Sequence, residues 1–450
     1  MRKIYLLISV CVISFLFGAC STFKPEGETG FIKVNGTHFE QNGKYYYFTG
    51  TNLWYGCYLG ASGKIGDRSR LIRELDNLKS LGITNLRILG ASEESYIKNS
   101  LKPAIQKKPG VYDEDLLDGL DFLLAEMGKR GMYAVISLNN YWEWTGGMSQ
   151  YNDWANGGGG IDPGTNNYGN FMDYSASFYS NEKAKKLFIN FVYSLITRTN
   201  KYTGNHYYDD PAIMAWQLAN EPRPGRNAYW LEEFYSWIES TAQFIHDIDH
   251  NHLVTTGNEG LAGSLEDSTI FLTIHKTKYI DYITMHLWPK NWGWFDAKNI
   301  EKTYKVTEKN AINYINTHLA FARELNKPIT MEEFGLPRDS EFCKVGTHTT
   351  ARDRYFKKIL GLIYDSAAAG SPIAGTNFWG WGGEGRGQNK DDIYKYGDPL
   401  LGDPFQEPQG LNSVFDVDSS TIKIIKNNSE MMDLLNKKVV TGEVPQISSK

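Results

Sequence analysis

Cysteine is nearly absent from this chain, with four residues in 450. Cys11 and Cys20 fall in the first twenty residues, which leaves Cys57 and Cys343. So few exclude a disulfide framework, and none stand at metal-ligand spacing. A single Cys57–Cys343 bridge is conceivable, but two cysteines so far apart are more often unpaired core residues. An excess of positive charge is also missing. Lys and Arg number 47 against 52 Asp and Glu, a formal net charge of −5, so the chain lacks the basic face that a phosphate backbone requires and nucleic acid is excluded as a partner. No glycine-rich phosphate loop follows the first strand-like run, which weighs against a nucleotide-binding doubly wound sheet.

Aromatic residues are abundant instead. They make up 14% of the chain, with 12 Trp and 28 Tyr, although mean hydropathy is negative. Part of this excess is core; the rest suits a groove for sugars, whose flat C–H faces stack on indole and phenol rings.

The chain opens with Met1-Arg2-Lys3 and an apolar run over 4–18, the pattern of a secretory leader. Small residues then precede cysteine in Leu16-Phe17-Gly18-Ala19-Cys20, which resembles a bacterial lipobox and makes Cys20 the expected acylated residue. The expectation is an exported lipoprotein held at the membrane only through that anchor. Residues 1–20 are the leader, 21–30 a polar tether, and 31–450 one domain. Monomer is the default expectation.

Two turn-rich pairs, Asn35-Gly36 and Asn42-Gly43, punctuate 31–48 and predict a hairpin running into a first strand that ends at Thr51-Asn52. Beyond it strand and helix patterns alternate. Strands are expected at 85–89, 133–138, 213–218, 253–256, 282–285, 329–331 and 375–378, and helices at 68–81, 113–130, 181–202, 229–248, 308–325 and 351–369. Eight strands in this rhythm close into a (β/α)8 barrel, with no linker interrupting the repeat. Two connections, 139–180 and 379–427, exceed simple βα loops and are expected to wall the face formed by the strands' C-terminal ends.

Two acids stand at such ends. Glu221, in Asn220-Glu221-Pro222-Arg223, follows the apolar run 212–218; Glu333, in Glu332-Glu333-Phe334-Gly335, follows 328–331. In a parallel barrel these tips converge on one mouth, and a facing carboxylate pair is what glycosidic bond cleavage needs. As the acid, Glu221 needs a pKa raised by burial and a neighbouring anion; Glu333 needs a cation or donors. Arg87, alone in the apolar strand Asn85-Leu86-Arg87-Ile88-Leu89, is a candidate donor, or else a structural barrel salt bridge. His286 and Trp288 mark another strand tip, and Trp379 is placed as a floor under the reacting sugar or as a plug of the mouth.

The segments Asn139-Asn140-Tyr141-Trp142, Gly146-Gly147-Met148-Ser149-Gln150-Tyr151, Asp209-Asp210-Pro211-Ala212 and Asn220-Glu221-Pro222-Arg223 resemble glycoside hydrolase family 5, in its endo-β-1,4-mannanase branch. The likeness runs from about Gly30 to about Trp381. It implies retaining hydrolysis of β-1,4-mannosidic bonds in mannan, glucomannan or galactomannan, with Glu221 as acid/base, Glu333 rather than Glu332 as nucleophile, and no cofactor or metal. It also implies that Trp54, Arg87, Asn140, Asn220, Arg223, His286, Trp288 and Trp379 contact sugar or support the catalytic pair. Many relatives carry tyrosine where this chain has Trp288, whose indole still donates a hydrogen bond but cannot act as a phenol. The catalytic motifs alone also permit a β-1,4-glucanase of the same family, and a catalytically silent glycan-binding lipoprotein is the alternative of another class. Endo or exo action depends on whether the loops over 157–173 and 382–407 leave both ends of the groove open.

Overall fold

The computed structural model describes residues 30–437; the leader, Cys11, the expected acylation site Cys20, the tether up to Thr29 and the last part of the expected domain, 438–450, lie outside the described residues. Eight parallel strands form the centre: β1 (Phe48–Asn52), β2 (Asn85–Leu89), β3 (Tyr133–Ser137), β4 (Ile213–Gln217), β5 (Leu253–Thr255), β6 (Ile283–Leu287), β7 (Ile329–Phe334) and β8 (Ile373–Phe378). Every residue in them is buried, as expected of strands covered by helices outside and side chains inside. Each pairs with its neighbours in ring order, and β8 returns to β1. The seam is between β5 and β6. One backbone bridge, Thr255 with Tyr282, closes it. Asp281 reinforces it, donating its amide N–H to the Val254 carbonyl (2.8 Å) while its carboxylate accepts the Val254 amide (2.7 Å).

The expected hairpin is a three-stranded antiparallel sheet, Lys33–Asn35, His38–Gln41 and Lys44–Tyr45. It covers the N-terminal end of the barrel, where Ile32, Phe39 and Tyr46 pack with Tyr133, Leu253, Tyr282 and Ala374 from the first residues of their strands or just before them. That end is sealed, so chemistry is confined to the opposite mouth.

The helices depart from expectation in informative ways. Ser268–Lys276, between β5 and β6, and Ser419–Asn436, after β8, are helical without being anticipated. Both open on β-branched residues, Thr269-Ile270 and Thr421-Ile422, whose helix propensity is poor, so tertiary packing decides their state. The expected helix 181–202 stops at Ile196. There Asn200 accepts the amides of Tyr202 and Thr203 and donates to the Asp121 carbonyl, a side-chain turn that competes with the helix ladder. The connection 139–180 contains two helices, Gly147–Asn156 and Tyr168–Ala176, and the last connection contains strand Trp381–Gly383 paired with Val414–Phe415. Cys57 and Cys343 are both free and buried, so the conceivable bridge is not formed. Among the described residues, no helix is long and apolar enough to cross a membrane.

Two buried histidines tie the outer layer to the mouth. His318, in helix Ile300–Leu325, donates Nδ1–H to the Tyr314 carbonyl (2.7 Å) and accepts the Leu261 amide on Nε2 (3.0 Å). His275 donates to the Phe271 carbonyl (2.8 Å) and meets the Thr256 hydroxyl with Nε2 (2.9 Å). Both arrangements suit neutral rings, and burial pushes His275 down to about 3 and His318 down to about 4. The unfolded chain, with histidines near 6.5, therefore binds protons that the fold refuses, and stability falls as pH drops below that value. Between pH 6 and 4.5 each histidine should contribute a loss approaching about 1.4 kcal/mol per pH unit. Urea unfolding across pH 7.5 to 4.5 checks this: His318→Gln should show a shallower acid decline than the parent, and an identical slope would refute the assignment.

Candidate active site

Glu221 reaches the mouth through a strained turn. β4 ends at Gln217, and the chain passes Asn220, which bridges to Asn140 beyond β3, before Glu221 takes a left-handed conformation (φ +51°) rare for a residue with a Cβ. Its amide is held by the Gly257 carbonyl at 3.0 Å. Gly257 is required here, because its φ is +74° and a Cβ would collide with the Ala219 carbonyl.

Glu333 arrives by a β-bulge. Met331 pairs with Met285 on β6, yet the next pair is Glu333 with His286, so Glu332 is an extra residue. Without the bulge, adjacent acids would point to opposite faces; with it, both turn inward. Glu332 meets Gln217 and Tyr282, and Glu333 meets Arg87 and Trp288.

Around Glu333 the partners are all donors. Arg87 Nη1 bonds Oε1, and the Trp288 indole N–H donates to Oε2 at 3.0 Å. His286 Nδ1 lies 3.5 Å from Glu333 Oε2 and 2.7 Å from Glu221 Oε1. Glu221 Oε2 accepts the Trp142 indole N–H at 2.7 Å. Facing oxygens of the two acids lie within 4.8 Å. Burial pushes Glu221 upward, but the His286 hydrogen bond and charge, the Arg223 charge and the Trp142 donor outweigh it and hold the carboxyl down at about 2. This corrects the expectation of a raised value. The neighbouring histidine, arginine and indole, which stabilise the anion, win over desolvation. Glu221, His286 and Glu333 sit close enough to chelate a cation, but N–H donors already occupy the carboxylate oxygens that would bind one.

These groups open into a cavity of about 600 Å³. Asn220, Glu221, Arg223, Trp288, Glu333 and Trp379 line it. Asn220 accepts Arg87 Nη2 (2.7 Å) on its carbonyl oxygen and donates to Asn140 (3.0 Å). Asn140 itself is fully buried and does not line the cavity; it holds Asn220 from behind. Arg223 lies over the Trp142 ring, 4.9 Å from its centroid, and pairs with Glu259. Trp54 requires correction. It is 2% exposed, its indole donates to the Gly402 carbonyl at 3.1 Å, and its ring packs edge-on against Trp144 and Phe405. The 400–405 segment folds across it, so Trp54 supports the wall instead of facing the cavity. The Gly146-Gly147 pair is explained by close approach, since a Cβ at Gly147 would strike the Asn140 carbonyl.

Several lining residues were not singled out as site residues from sequence. Trp142, Glu143, Tyr168, Glu259, Trp292 and Glu407 all face the cavity. The aromatic cluster Tyr141-Trp142-Glu143-Trp144 was a usable signal for the first two, whereas Glu259 and Glu407 follow no motif. Burial, led by desolvation and with the Asp403 charge adding to it, pushes Glu407 up to about 8, and its Oε2 has no partner. Together the site offers two facing carboxyl groups, Glu221 against the His286 imidazole and Glu333 ringed by N–H donors, between aromatic walls.

Comparison with known proteins places the fold in a family. Residues 29–437 match the family model described as GH family 5 beta-mannosidase-like. The chain is 32% identical over 358 residues to the rice protein named putative mannan endo-1,4-beta-mannosidase 9, covering 78% of this chain and 81% of the relative. It is 30% identical over 366 residues to Arabidopsis thaliana mannan endo-1,4-beta-mannosidase 1, with 78% and 82% covered. Among solved structures, a glycoside hydrolase family 5 mannosidase from Rhizomucor miehei superimposes with a TM-score of 0.83 at 35% identity, covering 91% of this chain and 99% of that one. An endo-1,4-beta-mannanase from the same organism, at 23% identity and a TM-score of 0.66, shares the fold. A (β/α)8 barrel with two glutamates facing across its mouth, matched along nearly all of the described chain, makes this protein a member of glycoside hydrolase family 5, a hydrolase acting on mannans.

Proposed function

We propose that the chain hydrolyses β-1,4-mannosidic bonds with retention, Glu333 acting as nucleophile and Glu221 as acid/base. The observation that carries this reading is the separation of the two acids. Oxygens within 4.8 Å suit direct attack on the anomeric carbon, for which carboxyl groups stand roughly 5–5.5 Å apart, and leave little room for the water an inverting enzyme needs. Glu333, fixed by Arg87 and Trp288, attacks C1 while the leaving oxygen takes a proton from Glu221. The 2.7 Å contact between Glu221 Oε1 and His286 Nδ1 fixes the carboxyl that delivers this proton. Glu221 then draws a proton from water, which attacks the glycosyl ester. Trp379 supplies the floor, and Asn220 has a spare amide hydrogen for the 2-hydroxyl. Arg223 and Trp142, beside Glu221, are placed for the leaving-group sugar.

Glu221→Ala should lower kcat by about 10²–10⁴-fold while leaving the fold intact. Azide separates the two roles by product configuration. In Glu333→Ala it fills the nucleophile's space and gives α-mannosyl azide; in Glu221→Ala it attacks the glycosyl ester and gives the β-anomer. The opposite assignment of anomers would exchange the roles, and full activity in either variant would end the mechanism.

Attack at chain ends is a second reading, favoured by the seal that Gly402 and Phe405 place over Trp54. An aromatic expected to contact sugar is thereby covered, and Pro404, Gln406 and Glu407 wall the cavity on that segment. Unbranched β-1,4-mannan beside carboxymethyl cellulose discriminates. Rapid viscosity loss with mixed manno-oligosaccharides is the endo outcome; mannose release at nearly constant viscosity is the exo outcome. Preferential cleavage of the cellulose would overturn the mannan assignment.

A further inference from the structure

Glu332 is a buried acid that the displacement does not use. It is 1% exposed and lies beneath Glu333 in the bulge of β7. Its Oε1 accepts the Tyr282 hydroxyl at 3.1 Å, and its Oε2 accepts from Gln217 Nε2. Gln217 in turn accepts Arg87 Nε–H on Oε1 at 3.0 Å. Arg87 directs Nη1 to Asn52 (3.0 Å) and Glu333, and Nη2 to Asn220 (2.7 Å).

The polarity of this chain of contacts is forced. A guanidinium only donates, so the Gln217 amide satisfies it only with oxygen toward Arg87. The amide nitrogen then needs an acceptor, and Glu332 Oε2 is the atom that meets it. Turned over, the amide would set N–H against N–H and take from the buried Arg87 Nε its short acceptor. Anchoring Nε also fixes the plane of the guanidinium, and with it the direction of Nη1 toward Glu333. Glu332 Oε2 is 3.6 Å from Arg87 Nε, so Gln217 makes the shorter contact with that nitrogen. Burial pushes the Glu332 carboxyl above its ordinary value, against the pull of Arg87 and His286.

We propose that Glu332 is a positioning residue for the first displacement: by orienting the Gln217 amide it aims Arg87 at Glu333. This rests on the reading of Glu333 as nucleophile. The two ideas fail separately in one experiment on the full chain, timed trapping with 2-deoxy-2-fluoro-β-mannosyl fluoride. The label's position tests the nucleophile: a label on Glu333 supports it, whereas a label elsewhere or no adduct overturns it. Labelling rates test the positioning role. Gln217→Glu sets two carboxyls face to face and should slow labelling on the order of 10²-fold, with the half-saturating inactivator concentration little changed, because neither residue lines the cavity. Glu332→Gln keeps an acceptor toward Gln217 and turns its amide N–H to the Tyr282 hydroxyl oxygen, and should label within about threefold of the parent. The double exchange Gln217→Glu with Glu332→Gln reverses donor and acceptor while still presenting an acceptor to Arg87, and should recover most of the lost rate. A single Gln217→Glu that labels at the parental rate, a Glu332→Gln as slow as Gln217→Glu, or an exchange with no recovery would each overturn the proposal. Thermal melting identifies a variant that does not fold, and if Gln217→Glu is one, the Glu332→Gln and double-exchange rates decide.

Discussion

The mouth of the barrel depends on one buried cation. Arg87 is 4% exposed, and removing a guanidinium from water costs several kcal/mol unless partners restore its hydrogen bonds. Here they come from three other strands or their tips: Asn52 from β1, Gln217 and Asn220 from β4, and Glu333 from β7. The same contacts that make the charge tolerable therefore brace the barrel across its diameter and set the direction of Glu333. Loss of one charged member of such a buried pair typically costs about 3–5 kcal/mol, because the other is left uncompensated. Stability and catalytic geometry share these bonds, so substitutions here are expected to affect both.

A second balance governs Glu221. Its burial favours the neutral acid, yet His286, Arg223 and Trp142 favour the anion and prevail. The His286 imidazole, 2.7 Å from Oε1, is the first of these partners. The outer layer supports this arrangement. Tyr314 donates to the Glu259 carbonyl and His318 receives the Leu261 amide, so the loop carrying Glu259, and through it Arg223, is fixed by the helix Ile300–Leu325. Acid that protonates His318 would act on this loop as well as on global stability.

The eight strands were legible because each is a short apolar run bounded by turn residues, and the run's length and β-branched content are local properties. Helices with clear amphipathic patterns, such as Arg68–Ser80 and Glu114–Lys129, were legible for the same reason. Ser268–Lys276 was not, since its β-branched sequence disfavours helix until it packs between neighbours. In the site, Glu221 and Glu333 followed from motifs at strand ends, while Glu259 and Glu407 lie in connections whose path no local rule predicts. Trp54 was misjudged because its exposure is set by Gly402 and Phe405, some 350 residues away in sequence.

By itself, the sequence determined the alternation of strand and helix, the placing of an acid at two strand ends, and the aromatic stock of the walls, because periodicity, turn chemistry and composition are carried by neighbouring residues. Only the tertiary structure decided which of Glu332 and Glu333 faces His286, which way Glu221 titrates, and which tryptophans line the cavity. Those outcomes depend on a bulge in β7, on charges converging from different strands, and on a late loop folding over an early strand tip. Contacts between residues hundreds of positions apart set them, and no local pattern contains that information.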